Sequence, residues 1–141
     1  MLYKLHIIFL AFWAGLVAAE SVMELIGRRN PEIENHVARI HFYIDMIFEG
    51  PVLLAVLITG GMMVSQLPMT TLLAVKVAAG LTAVMANIVC LFFVVARKRA
   101  LDTGANEDKI KKLTTWIFVT PLPGFPAAAL ALLIGFRVFG Y

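Results

Sequence analysis

The sequence predicts an all-α integral membrane protein, a four-helix transmembrane bundle with both termini on the non-cytoplasmic side. Three observations lead there. Of the 141 residues, 61% are hydrophobic and only 15% charged, against roughly a quarter charged in soluble domains, and mean hydropathy is +0.89. Four apolar stretches, Leu5–Ile26, Ile40–Val64, Thr71–Ala96 and Leu113–Val138, each reach the ~20 residues a transmembrane helix needs. The basic residues gather in two of the three connections, which four antiparallel spans carry to the same face of the membrane.

The first stretch follows Lys4 and contains Val17-Ala18-Ala19, which resembles a signal-peptide cleavage site. The apolar run is long enough to span, so it is read as the first helix. The connection 27–39 holds Arg28, Arg29 and Arg39 around the polar run Asn30-Pro31-Glu32-Ile33-Glu34-Asn35, with His36 read as a solvated loop residue. In the second stretch Gly50-Pro51 predicts a kink beside Glu49. The turn Ser65-Gln66-Leu67-Pro68 is uncharged. After the third stretch, the connection 97–112 carries Arg97, Lys98, Arg99, Lys109, Lys111 and Lys112. In the fourth stretch Thr120-Pro121-Leu122-Pro123-Gly124-Phe125-Pro126 predicts a break, because proline lacks the amide donor and clashes one turn back. Carbonyls near Ile117, Val119 and Leu122 then lose their usual partners. Little sequence remains outside the spans, so residues 1–141 are expected to form one domain.

The net charge of +3 does not point to nucleic acid, because the basic groups flank membrane segments. The positive-inside rule makes 27–39 and 97–112 cytoplasmic, in a bacterial-type inner membrane, with the lipid bilayer as the surrounding partner. Ala78, Ala79 and Gly80 form a small-residue face suited to helix packing, within the chain or between copies of a homo-oligomer. The lone Cys90 allows no internal disulfide, and no nucleophile triad or phosphate loop is present.

Chemistry gathers on the first two helices. His41, Asp45 and Glu49 are spaced four apart, and so are Glu20 and Glu24. Residues four apart on an α-helix are offset by only about 40°. Each set therefore forms a stripe. The antiparallel direction of the two helices sets Glu20 at the level of Asp45 and Glu49, and Glu24 at that of His41 and Asp45. Asn87, Cys90 and the proline-broken segment fall in the same layer. Ionisable groups in hydrocarbon are costly and mark functional sites. Carboxylate and imidazole ligands suit zinc or iron. Glu20, Asp45 and Glu49 are expected as ligands of a divalent transition metal, with Glu24 and His41 as further ligands or as hydrogen-bond partners of the ligands. The competing reading pairs these groups with Arg28, Arg29 or Arg39 without a metal. A third makes the ladder a path for protons or metal ions. The Glu-x-x-His pairs of soluble di-iron bundles are missing.

A thinner polar layer lies toward the other face, where His6 and Lys76 share a depth. Lys4-Leu5-His6-Ile7-Ile8 with Trp13-Ala14-Gly15-Leu16, Lys76 early in the third helix, and Arg97-Lys98-Arg99 after it resemble the four-helix bacterial protoporphyrinogen oxidase family and the related membrane domain of copper-resistance protein D. The resemblance implies a haem-binding membrane oxidoreductase with His6 and Lys76 as its cofactor-binding positions. The carboxylate ladder is not part of that pattern, and Ala74 stands where a polar residue or histidine belongs. The functional expectation is a membrane protein with a carboxylate–histidine metal site between helices 1 and 2, where the metal would be a Lewis acid or redox centre if the chain is an enzyme; enzyme and transporter both stay open, and so does any small-molecule substrate. The alternatives are a haem oxidoreductase and an ion path.

Overall fold

In a computed structural model, which describes residues 1–138, the chain is helical, with no strand among the described residues. The helices are α1 (Leu2–Arg29), α2 (Pro31–Ile44), a π-helical turn (Asp45–Glu49), α3 (Gly50–Val64), α4 (Thr71–Asp102), α5 (Glu107–Val119) and α6 (Gly124–Val138). They combine into four segments long and apolar enough to cross a membrane: Leu2–Arg29, Pro31–Val64, Thr71–Asp102 and Glu107–Val138. Helix α1 packs on α2 and α3, and α4 packs on α2, α5 and α6. Exposed Ile8, Phe12, Leu54, Ile58, Phe92 and Leu133 give the bundle the apolar outside that lipid requires.

The helices run past the apolar stretches, which corrects two expected loops. The connection 27–39 shrinks to Asn30, whose side chain accepts from the Glu32 amide at 3.2 Å. Pro31 follows at the first helical position, and Glu32 and Glu34 occupy the first turn. This is a strong helix start. His36 is therefore an exposed helical residue rather than a loop residue. The connection 97–112 likewise shrinks to the residues around Gly104, whose φ of 66° suits the left-handed end of a helix. The Ala105 amide returns to the Ala100 carbonyl at 2.9 Å. Asn106 then caps α5, accepting from the Lys109 amide at 3.1 Å. Charged residues had ended the apolar windows, but capping chemistry sets the true helix ends.

Both proline-marked irregularities fall where expected. Helix α5 ends at Val119, and a turn of four residues leads into α6. Of the carbonyls left over, that of Ile117 accepts from the Cys90 thiol at 3.5 Å, and that of Val119 accepts from the Leu122 amide at 3.2 Å. In the second segment, Pro51 offers no amide to the preceding turn, and the chain opens into the π turn just before it.

That turn matters for the site. Four residues overshoot an α turn, so a stripe at i, i+4, i+8 drifts steadily around the helix. A π turn, closed by i→i+5 bonds, is wider, and four residues fall short of it. The drift from His41 to Asp45 is thus reversed between Asp45 and Glu49, and all three side chains stay inward and buried. The Gly50 amide closes the turn on the Asp45 carbonyl. A Cβ at position 50 would stand 3.2 Å from that oxygen. We therefore expect Gly50→Ala to lower stability by about 1 kcal/mol and to disturb the register of His41, Asp45 and Glu49. Thermal unfolding in detergent checks this; a parent-like value would remove the π turn from the account.

Candidate metal centre

Helices α1 and α2 cross closely beside Gly27, where an added Cβ would lie 3.1 Å from the Val37 side chain. The contact brings the α1 stripe against the α2 stripe, and α4 closes the third side. Glu20, Glu24, His41, Asp45 and Glu49 are all at most 5% exposed. Arg97 is 1% exposed and joins them from α4.

Arg97 is the residue that sequence reasoning placed elsewhere. Expected in a basic loop, it lies inside α4 and turns into the bundle. Its Nη1 donates to Glu24 Oε2 at 2.9 Å, and its Nη2 donates to Glu24 Oε1. The pair is bidentate, the strongest form of this contact. Nη1 also reaches Thr114 Oγ1 at 3.4 Å, while Nε is buried without a partner. The arginines expected to neutralise the ladder act outside it. Arg39 pairs with Asp102 at 2.9 Å. Arg28 donates to Thr115 at 3.4 Å and stacks over Phe118.

Glu24 also fixes His41. Its Oε1 lies 2.5 Å from His41 Nδ1. A carboxylate that receives both guanidinium donors has no proton of its own to give, so Nδ1 carries the hydrogen and donates it. Arg97 Nη2, 3.3 Å from the same nitrogen, is a donor facing a donor. The Nε2 lone pair is therefore left on the other side of the ring. It points toward Asp45 Oδ1 at 3.4 Å and Glu20 Oε2 at 3.8 Å.

One ligand atom from each of Glu20, His41 and Asp45 lies within 4.8 Å of the other two. Ligand atoms 2.0–2.2 Å from a tetrahedral zinc stand roughly 3.3–3.6 Å apart, so the spacing needs little adjustment to hold an ion. Asp45 Oδ1 and Glu20 Oε1 are buried with no hydrogen-bond partner. The Glu20 carboxyl also lies against those of Asp45 and Glu49.

Glu49 sits deeper and differs in kind. Its Oε1 accepts from Trp13 Nε1 at 2.9 Å and from Asn87 Nδ2 at 2.6 Å. Two neutral donors from α1 and α4 hold this carboxyl at the edge of the cluster. Trp13 was not singled out by spacing; its signal was an indole at the depth of Glu49, one helix over.

The two residues of the thinner layer, His6 and Lys76, line a different space. A cavity of about 510 Å³ in the half of the bundle near the N-terminus includes both, and its inner end is formed by Trp13 and Asn87. His6 Nδ1 is 2.7 Å from Thr59 Oγ1.

The fold and the cluster together define a class: a bundle of four helical segments long and apolar enough to cross a membrane, with a buried carboxylate–histidine–arginine cluster between the first three. Comparison of the chain with known protein families, characterised proteins and solved structures finds no match to any of them, so the class stands on residues and geometry alone.

Proposed function

We propose that this chain binds a divalent transition metal, zinc or iron, at His41 Nε2, Asp45 and Glu20, and works as a metal-dependent membrane enzyme. The observation that carries the reading is the set of atoms facing one another there. His41 Nε2 and Asp45 Oδ1 are both electron-pair donors 3.4 Å apart, Glu20 Oε2 lies 3.8 Å from the same nitrogen, and Asp45 Oδ1 and Glu20 Oε1 are buried without a hydrogen-bond partner. Four buried carboxyl groups stand against the single guanidinium of Arg97. A buried charge left uncompensated is costly, and a cation among these atoms relieves both deficits. Ion pairing alone accounts only for Glu24, which Arg97 satisfies.

In this reading each residue has a separate task. Glu24 holds His41 in the Nδ1–H form and so aims Nε2; Arg97 keeps Glu24 ionised and in place. A bound ion would supply Lewis-acid or redox chemistry. Glu49, held at Oε1 by Trp13 and Asn87, is the carboxylate that would stand beside the ion as a base. The basic connections at Asn30 and Gly104 face the cytoplasm of a bacterial-type membrane, and both termini face away from it, following the positive-inside rule.

Elemental analysis and a visible spectrum of one detergent-purified, metal-replete sample test the proposal. About one ion per chain without a Soret band is expected. A sample free of metal refutes it. A second reading, a haem-binding oxidoreductase like the protoporphyrinogen oxidases, is favoured by the cavity that His6 and Lys76 share. It requires a Soret band that His6→Ala abolishes.

The role of Glu24 gives a further expectation. Glu24→Gln removes the carboxylate that orients His41, and partners of this kind are typically worth 10–100-fold in metal affinity. Competition with a chelating dye should show a loss of about that size. An unchanged affinity would mean that His41 is not a ligand.

A further inference from the structure

The cavity beside the metal centre has a chemistry of its own. Its volume of about 510 Å³ is in the range of small-molecule sites. The walls are apolar, and the polar groups stand at the two ends, His6 and Lys76 at one and Trp13 and Asn87 at the other. Glycines keep it open. A Cβ at Gly60 would lie 3.2 Å from the His6 ring, and one at Gly80 would project into open space.

The tautomer of His6 follows from the hydrogens available. The Thr59 hydroxyl has one proton and donates it to the Ala55 carbonyl at 2.7 Å, with the Val56 carbonyl at 3.2 Å behind it. Thr59 Oγ1 must therefore accept from His6, whose Nδ1 carries the hydrogen. Neutral His6 then presents Nε2 as an acceptor to a chamber whose other polar side chains are Lys76 at the same end and Trp13 and Asn87 at the far end. A pure hydrocarbon leaves that lone pair unmet. At the inner end, the indole and amide that face the chamber are the same groups that hold Glu49, so an occupant lies one side chain away from the metal cluster.

We infer that this cavity binds the substrate of the metal centre, and that the substrate is a lipid-soluble molecule bearing a hydroxyl donor, an alcohol or phenol whose O–H bonds to His6 Nε2. The inference rests on the metal-centre reading for the word substrate; the binding site itself does not.

The test uses full-length protein in phosphatidylcholine nanodiscs, with Trp116→Phe as background so that Trp13 is the sole indole. The probes are 4-bromophenol and its near-isostere 4-bromotoluene, whose bromine quenches an indole on contact. Saturable quenching is expected, with the phenol binding about fivefold more tightly than the toluene, the worth of one net hydrogen bond. His6→Phe keeps the volume and should erase that preference. Gly80→Leu fills the chamber and should abolish saturable quenching by both probes. Metal content is measured on every sample. Metal without selective quenching overturns the inference and leaves the metal centre standing. Selective quenching without metal keeps the binding site and removes its link to a metal-dependent reaction. Equal affinity for the two probes, or a Soret band that His6→Phe removes, overturns the inference.

Discussion

If the proposed site holds a metal, Asp45→Asn should abolish metal binding. The substitution keeps size and shape but replaces a carboxylate oxygen facing His41 Nε2 at 3.4 Å with a neutral amide. Losing a residue that merely orients a ligand costs up to about 100-fold in metal affinity, so losing a charged ligand should cost more. Stoichiometric metal in the parent should become undetectable in the variant after dialysis against a weak chelator. The variant should still fold, because a buried carboxyl with one oxygen lacking a hydrogen-bond partner has been replaced by a neutral group that is cheaper to bury. Ion pairing without metal predicts no metal in either protein. Parent-like metal content in Asp45→Asn would remove Asp45 from the site.

Arg97→Met should be the most destabilising single change in the cluster. It leaves Glu24 buried at 4% exposure with no compensating charge, and breaking one side of a buried pair costs about 3–5 kcal/mol. The methionine keeps most of the stem volume, so the loss reads the charge rather than a void. The double variant Arg97→Met with Glu24→Gln should recover much of that stability, because no lone charge remains. Reversible unfolding in mixed micelles measures both. If the single variant is as stable as the parent, the guanidinium is not what holds Glu24 in place.

These two residues mark how far the sequence could be read. Asp45 was legible because it sits in a hydrophobic run with acidic or basic neighbours four residues away on each side, a pattern with little reason to exist in lipid. Antiparallel counting then set Glu20 opposite it. Arg97 was not legible. It belongs to Arg97-Lys98-Arg99, a run that resembles any membrane-flanking basic cluster. Only α4, continuing helical to Asp102, turns Arg97 inward while Arg99 stays exposed. The same cause blurred the loops: windows of hydropathy end at the first charges, whereas Asn30, Gly104 and Asn106 end the helices.

The irregular turns divide in the same way. Gly50-Pro51 and the three prolines of the fourth stretch announced disturbed backbone. Which disturbance each would produce was not written in those residues alone. A π turn keeps Glu49 in line with His41, and the break before α6 turns the Ile117 carbonyl to Cys90. The cavity had no linear signature, because its lining comes from α1, α3, α4 and α6, and a void is a property of packed neighbours rather than of any one helix. His6 and Lys76 were visible as polar residues at one depth, but not as two walls of a single chamber.

The central claim is that His41, Asp45 and Glu20 hold a divalent metal, and its most direct test is the X-ray absorption spectrum of the metal-loaded protein. The account predicts a shell of nitrogen and oxygen ligands at about 2.0–2.2 Å without sulfur, with imidazole scattering that vanishes in His41→Ala. A sulfur shell, or imidazole scattering unchanged in His41→Ala, would place the metal elsewhere in the molecule and contradict the site described above.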